Sequence, residues 1–450
     1  MTTDTVTPRT GPARWQMMAW SAGQIAVQIY RDVPSLLLLF FMTQVLGISP
    51  ALAGSAIFVP KLVVAVLADL GAGWLSDYLR KRRRRAQLLL LGAVTAPVLL
   101  ILLFQEHAGD TEAARALSVS LILTGYMVIF SLFSVPHLAL GTQISGDTRQ
   151  RTEAMAWRTA MSAVGLLIAA SLAPILVDRL GGGAEGYANM AWLLAGLCTL
   201  TLLISWFGSR QIDSLSDVPQ ASTSSAGSRW RALLGDRAAL GLTGAFLAQL
   251  CAMGMAYATL AYLFSFNLKF QRPLETIGIM VLITSVVAVA VQPLWVAVAA
   301  RIGRRSVYVI GLLGYTFALC LIAFAPPQSS LVVYVGGLIM GMFQSACFTM
   351  VYAMLADVIA RDTQRSGGES RAGFFASLFT IVDKVGFALG GTLLVGLVLQ
   401  SAGFVAGQAS QSEAAQSGIV LGFALLPAVF NLLSLALIVW VYPAETEAAA

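Results

Sequence analysis

Long apolar segments alternate with short polar connections along almost the whole chain. A helix that crosses the hydrocarbon core of a bilayer needs about 20 predominantly apolar residues, and twelve segments reach that length. Several are longer, so we expect those helices to tilt or to project into water. The pattern predicts an all-α membrane protein with twelve spans, at 16–46, 50–76, 86–105, 115–142, 153–177, 187–208, 236–267, 275–299, 306–325, 329–356, 372–401 and 417–442.

The composition agrees with a membrane protein and excludes other classes. Hydrophobic residues make up 58% of the 450 residues and charged residues only 11%, whereas a soluble domain carries roughly 25% charged residues. Residues 1–11 are polar and the first apolar segment is too long for the core of a signal peptide. The net charge of +6 does not indicate nucleic-acid binding, because the basic residues lie between spans. The four cysteines lie inside apolar segments without CxxC spacing, which favours buried thiols.

The distribution of Lys and Arg predicts the orientation in the membrane. Both tails and the even-numbered connections together hold 20 of these residues, and the odd-numbered connections hold four. Basic residues are concentrated on the cytoplasmic side of membrane proteins. We therefore expect a multi-pass protein of the plasma (inner) membrane with both termini in the cytoplasm.

A polar, Ser-rich segment at 209–232 divides the spans into two groups of six and is typical of a flexible linker. The end of the fourth span and the end of the tenth are each followed by Asp-Thr, 215 residues apart. Repeated six-span units are typical of transporters, whose solute site lies near the midplane between the units. The predicted divisions are a cytoplasmic tail at 1–14, a six-helix bundle at 15–208, the linker at 209–232, a second bundle at 233–443 and a tail at 444–450.

Two connections share a motif of glycine and basic residues. GWLSDYLRKRRRR (73–85) follows the second span, and WVAVAARIGRRS (295–306) follows the eighth. A cytoplasmic excess of positive charge explains the arginines but not the Gly-x-x-x-Asp spacing. The pattern resembles the cytoplasmic signature of the major facilitator superfamily. With Asp357, which we expect to gate or cap the end of the tenth span, the candidate gating residues are Gly73, Asp77, Arg80, Arg301, Gly303, Arg304 and Asp357.

Three longer segments narrow this resemblance: FFMTQVLGISPALAG (40–54), SVPHLALGTQISGDTRQRTEAMAWR (134–158) and YAMLADVIARDTQRSGGESRAGFFASLFTIVDKVGFALGG (352–391). They are similar to the glycoside–pentoside–hexuronide cation symporters, the family of the melibiose permease. The resemblance covers nearly the whole chain. It implies two pseudo-symmetric six-helix bundles, alternating access, and coupling of solute movement to a cation gradient.

Seven ionisable side chains fall within the predicted spans. Each costs roughly 2.5–3.5 kcal/mol at the centre of a bilayer, so such residues normally face a polar cavity or an oppositely charged partner. Their number favours a transport cavity over purely structural ion pairs. Because the four basic side chains exceed the three acidic ones by one, an anionic solute such as a hexuronide is compatible with their net charge. These residues are Arg31, Asp32, Lys61, Asp69, Arg158, Asp383 and Lys384.

Asp69 is the candidate for cation coupling. It precedes Asp77 by eight residues, the spacing that the resemblance assigns to a cation-binding carboxylate. A structural ion pair with Lys384 is the alternative, and the two roles are compatible because protonation of Asp69 would release Lys384. Ser134 and Thr380 are candidates for neutral oxygen ligands.

The departures from the family pattern bear on the coupling ion. Ala65 and Ser134 stand where that pattern has carboxylates. Because sodium prefers several hard oxygen ligands, these losses favour a proton as the coupling cation, with sodium as the alternative. We expect no other cofactor and no metal.

The resemblance also suggests the solute-binding residues. Arg158 and Lys384 match basic residues of the fifth and eleventh helices, Gln28 takes the place of the first-helix acid, and Leu138 replaces an aromatic residue. A galactoside is therefore disfavoured, and Trp157 or Trp20 is either a stacking face or a packing residue. His137 is expected to form a helix-end hydrogen bond rather than a proton relay. Because successive helical residues do not face each other, Arg31 and Asp32 are each expected to contact a separate partner or to face the cavity. The candidate solute-binding residues are Gln28, Arg31, Asp32, Trp157, Arg158, Asp383 and Lys384.

The sequence thus predicts a secondary transporter for a sugar, glycoside or hexuronide. A lysolipid or other amphiphile carrier of the same fold is the alternative, and it would need a lateral opening. A receptor or scaffold is disfavoured because no soluble sensory domain is visible. No P-loop, Gly-x-Ser-x-Gly or metal-binding motif indicates an enzyme. We expect a monomer in the bilayer whose partners are the solute and the coupling cation, with no nucleic acid.

Overall fold

A computed structural model describes residues 13–81, 84, 86–107, 109–142, 148–213, 235–365 and 372–442. These residues form twelve helices that are long and apolar enough to cross a membrane, which confirms the predicted number of spans. In chain order they are α1 (Arg14–Gln44), α2 (Pro50–Ser76), α3 (Ala86–Leu103), α4 (Glu112–Leu140), α5 (Glu153–Arg179), α6 (Gly183–Arg210), α7 (Arg237–Asn267), α8 (Pro273–Ala290), α9 (Arg304–Ala323), α10 (Ser330–Arg365), α11 (Ser377–Ser401) and α12 (Glu413–Trp440).

Several helices extend beyond their spans. Helical structure continues after α2 as far as Lys81, after α4 as far as Thr142 and after α6 as far as Asp213. The predicted linker at 209–232 therefore begins within a helix, and its residues 214–232 lie outside the described part. A short second helix, Gln292–Ile302, follows α8 after a break that coincides with Pro293, because proline cannot supply a backbone N–H.

Five helices contain a single wide turn with π-helical hydrogen bonding. Such turns are rare and occur mostly at functional positions, because the extra residue rotates the side chains that follow. The turn in α2 begins at Pro60, which lacks the N–H that an α-helix would use at that point. The turns are Pro60–Val64 in α2, Ile168–Leu172 in α5, Leu263–Asn267 in α7, Leu389–Leu394 in α11 and Leu421–Leu425 in α12.

The helices pack as two bundles with the same internal arrangement. In the first bundle α1 packs on α5 and α6, and α3 packs on α4 and α6. In the second bundle α7 packs on α11 and α12, and α9 packs on α10 and α12. Helices α1 and α7 are the most buried of the twelve. The described residues therefore form two pseudo-symmetric six-helix bundles, as the sequence predicted, with α1 and α7 at the centre.

The two bundles contact each other mainly at one side of the membrane. We name the side that holds the start of α1 and the end of α12 the terminal side, and the opposite side the far side. At the far side α2 packs on α11 so closely that a methyl group added to Gly54 would overlap the carbonyl oxygen of Thr392. Helices α5 and α8 meet in the same way, since a methyl group added to Gly278 would overlap the carbonyl oxygen of Ser171.

Toward the terminal side the two bundles diverge. The described residues of α2 beyond Ala65 make few backbone contacts with the second bundle, and Leu70 and Trp74 are largely exposed. Within the described residues, the two bundles are thus in contact at the far side and separated at the terminal side.

Candidate functional site

An ion pair connects membrane-spanning helices of the two bundles. Lys384 of α11 donates to the Oδ2 atom of Asp69 of α2, and both side chains are about one quarter exposed. The second carboxylate oxygen of Asp69, Oδ1, accepts a hydrogen bond of 2.6 Å from Ser131 of α4. Asp69 and Lys384 are the pair that the sequence suggested. The structure therefore places one carboxylate between two helices of the first bundle and one helix of the second.

Ser131 was not among the residues predicted from the sequence. It is buried and lies one helical turn before Ser134, which was proposed as an oxygen ligand and is only partly buried. Thr380, the other proposed ligand, lies one turn before Lys384 and is exposed. The one-turn spacing gave a weak signal for Ser131, because residues three apart share a helix face.

The expectation that Arg31 and Asp32 have separate partners is wrong. Arg31 Nε donates to Asp32 Oδ1 over 2.8 Å, and Gln28 Nε2 donates to Asp32 Oδ2 over 3.3 Å. The long guanidinium side chain bends around the helix surface, so it reaches a neighbour that its backbone direction does not face. The acid is thus shared by two donors on its own helix.

Lys61 of α2 joins the polar group on α1. Its ammonium donates to the hydroxyl of Ser35 over 2.9 Å, and this hydroxyl donates to the carbonyl oxygen of Arg31 over 2.7 Å. Lys61 lies in the π-helical turn Pro60–Val64, two helical turns from Asp69 on the same helix. Helix α2 therefore carries one charged contact with α1 and another with α11.

Arg158 of α5 retains an unused donor. Its Nε atom is buried and has no hydrogen-bond partner among the described residues. Arg158 and Asp383 of α11 both interact electrostatically with Arg31, which places them around the same region between the bundles. A guanidinium has five donors in a fixed plane, so it suits a carboxylate or adjacent hydroxyl groups. Trp157, the neighbour of Arg158, is partly buried.

His137 and Trp20 belong to the interior of the first bundle. Their rings stack at 4.9 Å, His137 Nε2 bonds to the carbonyl oxygen of Trp20 over 2.9 Å, and Trp20 Nε1 donates to the carbonyl oxygen of His137 over 3.1 Å. Both side chains are buried. The hydrogen bonds of His137 therefore connect α4 to α1 and do not cap the end of α4. Trp20 is a packing residue in the interior of the first bundle.

The candidate gating residues of the second bundle lie at, or contact, the junction between the short helix Gln292–Ile302 and α9. Arg304 forms an ion pair with Asp357 and donates to the carbonyl oxygen of Ala353 over 3.3 Å, so α9 is held to α10 within the second bundle. Gly303 has a φ of 85°, which lets the chain turn from the short helix into α9, and Arg301 is exposed.

Gly73, the first glycine of the motif, lies in open space among the described residues. A methyl group added there would meet no atom within 4 Å among the described residues, so Gly73 does not provide a close helix contact in this conformation, where the bundles diverge. The side chains of Asp77 and Arg80 lie outside the described part of the structure.

Comparison with known proteins agrees with this architecture. A model of the family described as MFS/sugar transport protein matches residues 19–445. The glucuronide carrier protein homolog of Escherichia coli (strain K12) is 24% identical over 430 residues, covering 95% of this chain and 92% of that protein. The isoprimeverose transporter of Lactiplantibacillus pentosus is 23% identical over 439 residues, covering 94% of this chain and 88% of that protein.

The fold itself is similar to that of solved transporters. The crystal structure of a bacterial homolog of the human lysosomal transporter Spinster, in an inward-facing and unoccupied conformation, has a TM-score of 0.71 at 15% identity and covers 95% of this chain and 97% of that chain. This likeness, with the two six-helix bundles, shows the major facilitator fold. Because the family model spans nearly the whole sequence, the chain belongs to the MFS/sugar transport family and is a multi-pass membrane transporter, not an enzyme.

Proposed function

We propose that this transporter is a symporter that couples entry of a proton to entry of a sugar, glycoside or hexuronide by alternating access. The observation that carries the proposal is the ion pair of Asp69 with Lys384, which joins membrane-spanning helices of the two bundles. A pair in this position must rearrange whenever the bundles move relative to each other. It therefore ties the charge of one carboxylate to the conformation of the whole protein.

The proton is the coupling ion that best fits the residues around Asp69. Protonation of Asp69 removes the negative charge that holds Lys384, and deprotonation restores it. A sodium ion would need several hard oxygen ligands and would compete with the ammonium of Lys384 for the same carboxylate. Position 65 of α2, one turn earlier, is alanine and contributes no second carboxylate.

The solute class follows from the donors that remain between the bundles. Arg31 is paired with Asp32 and Lys384 with Asp69, whereas Arg158 keeps a buried Nε donor that has no hydrogen-bond partner in the part of the chain that the structure describes. Such a donor favours a solute with a carboxylate or several hydroxyl groups. The names of the two relatives, a glucuronide carrier homolog and an isoprimeverose transporter, agree with this class.

The orientation is also part of the proposal. The excess of Lys and Arg at the terminal side supports a cytoplasmic location of that side, with the protein in the plasma (inner) membrane. The conformation described above is then open to the cytoplasm, and the far side faces outward. We propose that the transporter works as a monomer.

The test is uptake into proteoliposomes with an alkaline interior, over a panel of labelled neutral glycosides and uronides. We expect accumulation of at least one sugar that collapses when an ionophore removes the pH gradient. The variant Asp69→Asn should lose this accumulation, whereas Asp110→Asn, which changes an exposed far-side carboxylate, should retain it. Accumulation that depends on sodium alone, or transport of lysolipids but of no sugar, would contradict the proposal.

A further inference from the structure

Thr43, near the end of α1, holds two separate elements of the second bundle. Its hydroxyl lies 2.7 Å from the hydroxyl of Tyr262 of α7, and its carbonyl oxygen accepts a hydrogen bond of 3.0 Å from the backbone N–H of Gly407. Tyr262 also donates to the carbonyl oxygen of Leu39 over 3.1 Å. A single turn of α1 thus bonds to α7 and to the connection between α11 and α12.

That connection, the 402–412 loop, is braced from within. The side chain of Gln411 accepts from the N–H of Val405 over 3.0 Å and donates to its carbonyl oxygen over 2.7 Å. The chain turns before and after Val405 at Gly403 and Gly407, whose φ angles are 75° and 74°. The side chain of Gln411 thus joins the end of the loop to its beginning at Val405.

Aromatic rings fill the space beneath the 402–412 loop. Phe404 is buried, and its ring packs edge-on against Tyr262 at 5.3 Å and against Phe266 at 5.5 Å. Tyr262 packs edge-on against Phe40 of α1 at 5.0 Å. Rings from both bundles consequently close the far side above the polar region between them.

We propose that the Thr43 contacts are the latch of a far-side gate, formed by Tyr262, Phe404 and the 402–412 loop, which must open before a solute enters from that side. This inference rests on the proposed function, since a gate has meaning only in a carrier that alternates between two openings. The hydrogen bonds of Thr43 cross the boundary between the bundles, so they exist only while the far side is closed. Their loss shifts the equilibrium toward the far-open state.

The test measures the two states directly. Nitroxide labels are placed at Ala113→Cys, at the far-side start of α4, and at Ala409→Cys in the loop, both exposed, in a Cys320→Ser background. Distances between the labels in proteoliposomes should divide into a near, closed population and a distant, open one. Removal of the tyrosine hydroxyl in Tyr262→Phe should raise the open-to-closed ratio about five-fold, the effect of one net hydrogen bond.

Tyr308→Phe is the matched control. The Tyr308 hydroxyl is buried and bonds to Gln249 over 2.8 Å and to Ser434 over 2.9 Å, but all three residues belong to the second bundle. This variant should leave the open-to-closed ratio unchanged. Thr43→Ser, which keeps the hydroxyl, should also leave the ratio unchanged, whereas Thr43→Val should raise it. An unchanged ratio in Tyr262→Phe, or an equal rise in Tyr308→Phe, would overturn the latch. Because the ratio is measured without solute, it stands apart from the uptake assay that tests the proposed function.

Discussion

Two acid–base pairs in this protein have similar chemistry but different positions. Asp69 and Lys384 join α2 to α11 across the boundary between the bundles, whereas Asp357 and Arg304 join α10 to α9 within the second bundle. A pair inside one bundle moves with that bundle and survives a rigid-body rearrangement. A pair across the boundary is strained or broken by the same motion. We propose that position relative to the boundary, more than burial or charge, determines which of the two pairs takes part in transport.

The largest difference is expected when each acid is neutralised in turn. Asp69→Asn should abolish concentration of the solute against its gradient while solute exchange at equal concentrations continues. Asp357→Asn should reduce the rate and the stability but keep gradient-driven accumulation, because an ion pair at a partly exposed site contributes about 1 kcal/mol or less. The steady-state accumulation ratio distinguishes them, and equal losses in both variants would remove the distinction.

The next largest effect concerns Arg158 on the wall of the region between the bundles. Arg158→Ala should weaken solute binding by roughly ten- to a hundred-fold, since bonds to a charged donor are worth about 1.5–3 kcal/mol. Arg301→Ala, which removes an exposed arginine at the terminal side, should leave affinity unaltered. Calorimetric titration with the transported solute measures both. An unaltered affinity in Arg158→Ala would exclude it from the binding site.

A substitution at the close contact of α5 with α8 is expected to have an effect of intermediate size on the balance between the far-closed and far-open states. A methyl group at Gly278 would overlap the carbonyl oxygen of Ser171, whose hydroxyl donates to the carbonyl oxygen of Gly278 over 2.7 Å. Overpacking costs about 1–3 kcal/mol and acts only on the far-closed state, so Gly278→Ala should favour the far-open state about ten-fold. The label distance between positions 113 and 409 reports the shift. Gly71→Ala, where an added methyl group meets open space, is the control and should cause none.

Ser131 is expected to give the smallest effect. Its hydrogen bond to Asp69 stabilises the ionised carboxylate by about 1 kcal/mol, and Ser131→Ala removes it. The carboxylate is then held by one contact fewer, so the initial rate of gradient-driven uptake should fall about five-fold, and Ser131→Thr should restore it. Initial uptake rates at one fixed pH gradient test this, and an unchanged rate in Ser131→Ala would contradict the assignment.

The sequence was informative where the physical cost of a residue in lipid is high. Hydrophobic length identified all twelve spans, and the cost of charge in hydrocarbon singled out the residues between the bundles, including Asp69 and Lys384. The pairing of these two, 315 residues apart, was one of the two roles that the sequence left open for Asp69.

Features that depend on exact helix geometry were not predictable. Ser131 is one serine among many in apolar segments, and only the packing of α4 on α2 makes it the donor to Asp69. The π-helical turn at Pro60 sets the direction of Lys61, and the folding of Arg31 back onto Asp32 depends on side-chain conformation. The role of Thr43 arises from contacts with α7 and the 402–412 loop, more than 200 residues away in the chain.

The most direct test of the central claim is the simultaneous measurement of proton and solute entry into proteoliposomes that contain a pH-sensitive dye. For the unmodified protein, addition of the solute outside should produce internal acidification in fixed proportion to the solute taken up. Asp69→Asn should admit solute down its gradient without any acidification. Proton entry in normal proportion in that variant would show that the carboxylate between the two bundles does not carry the coupling.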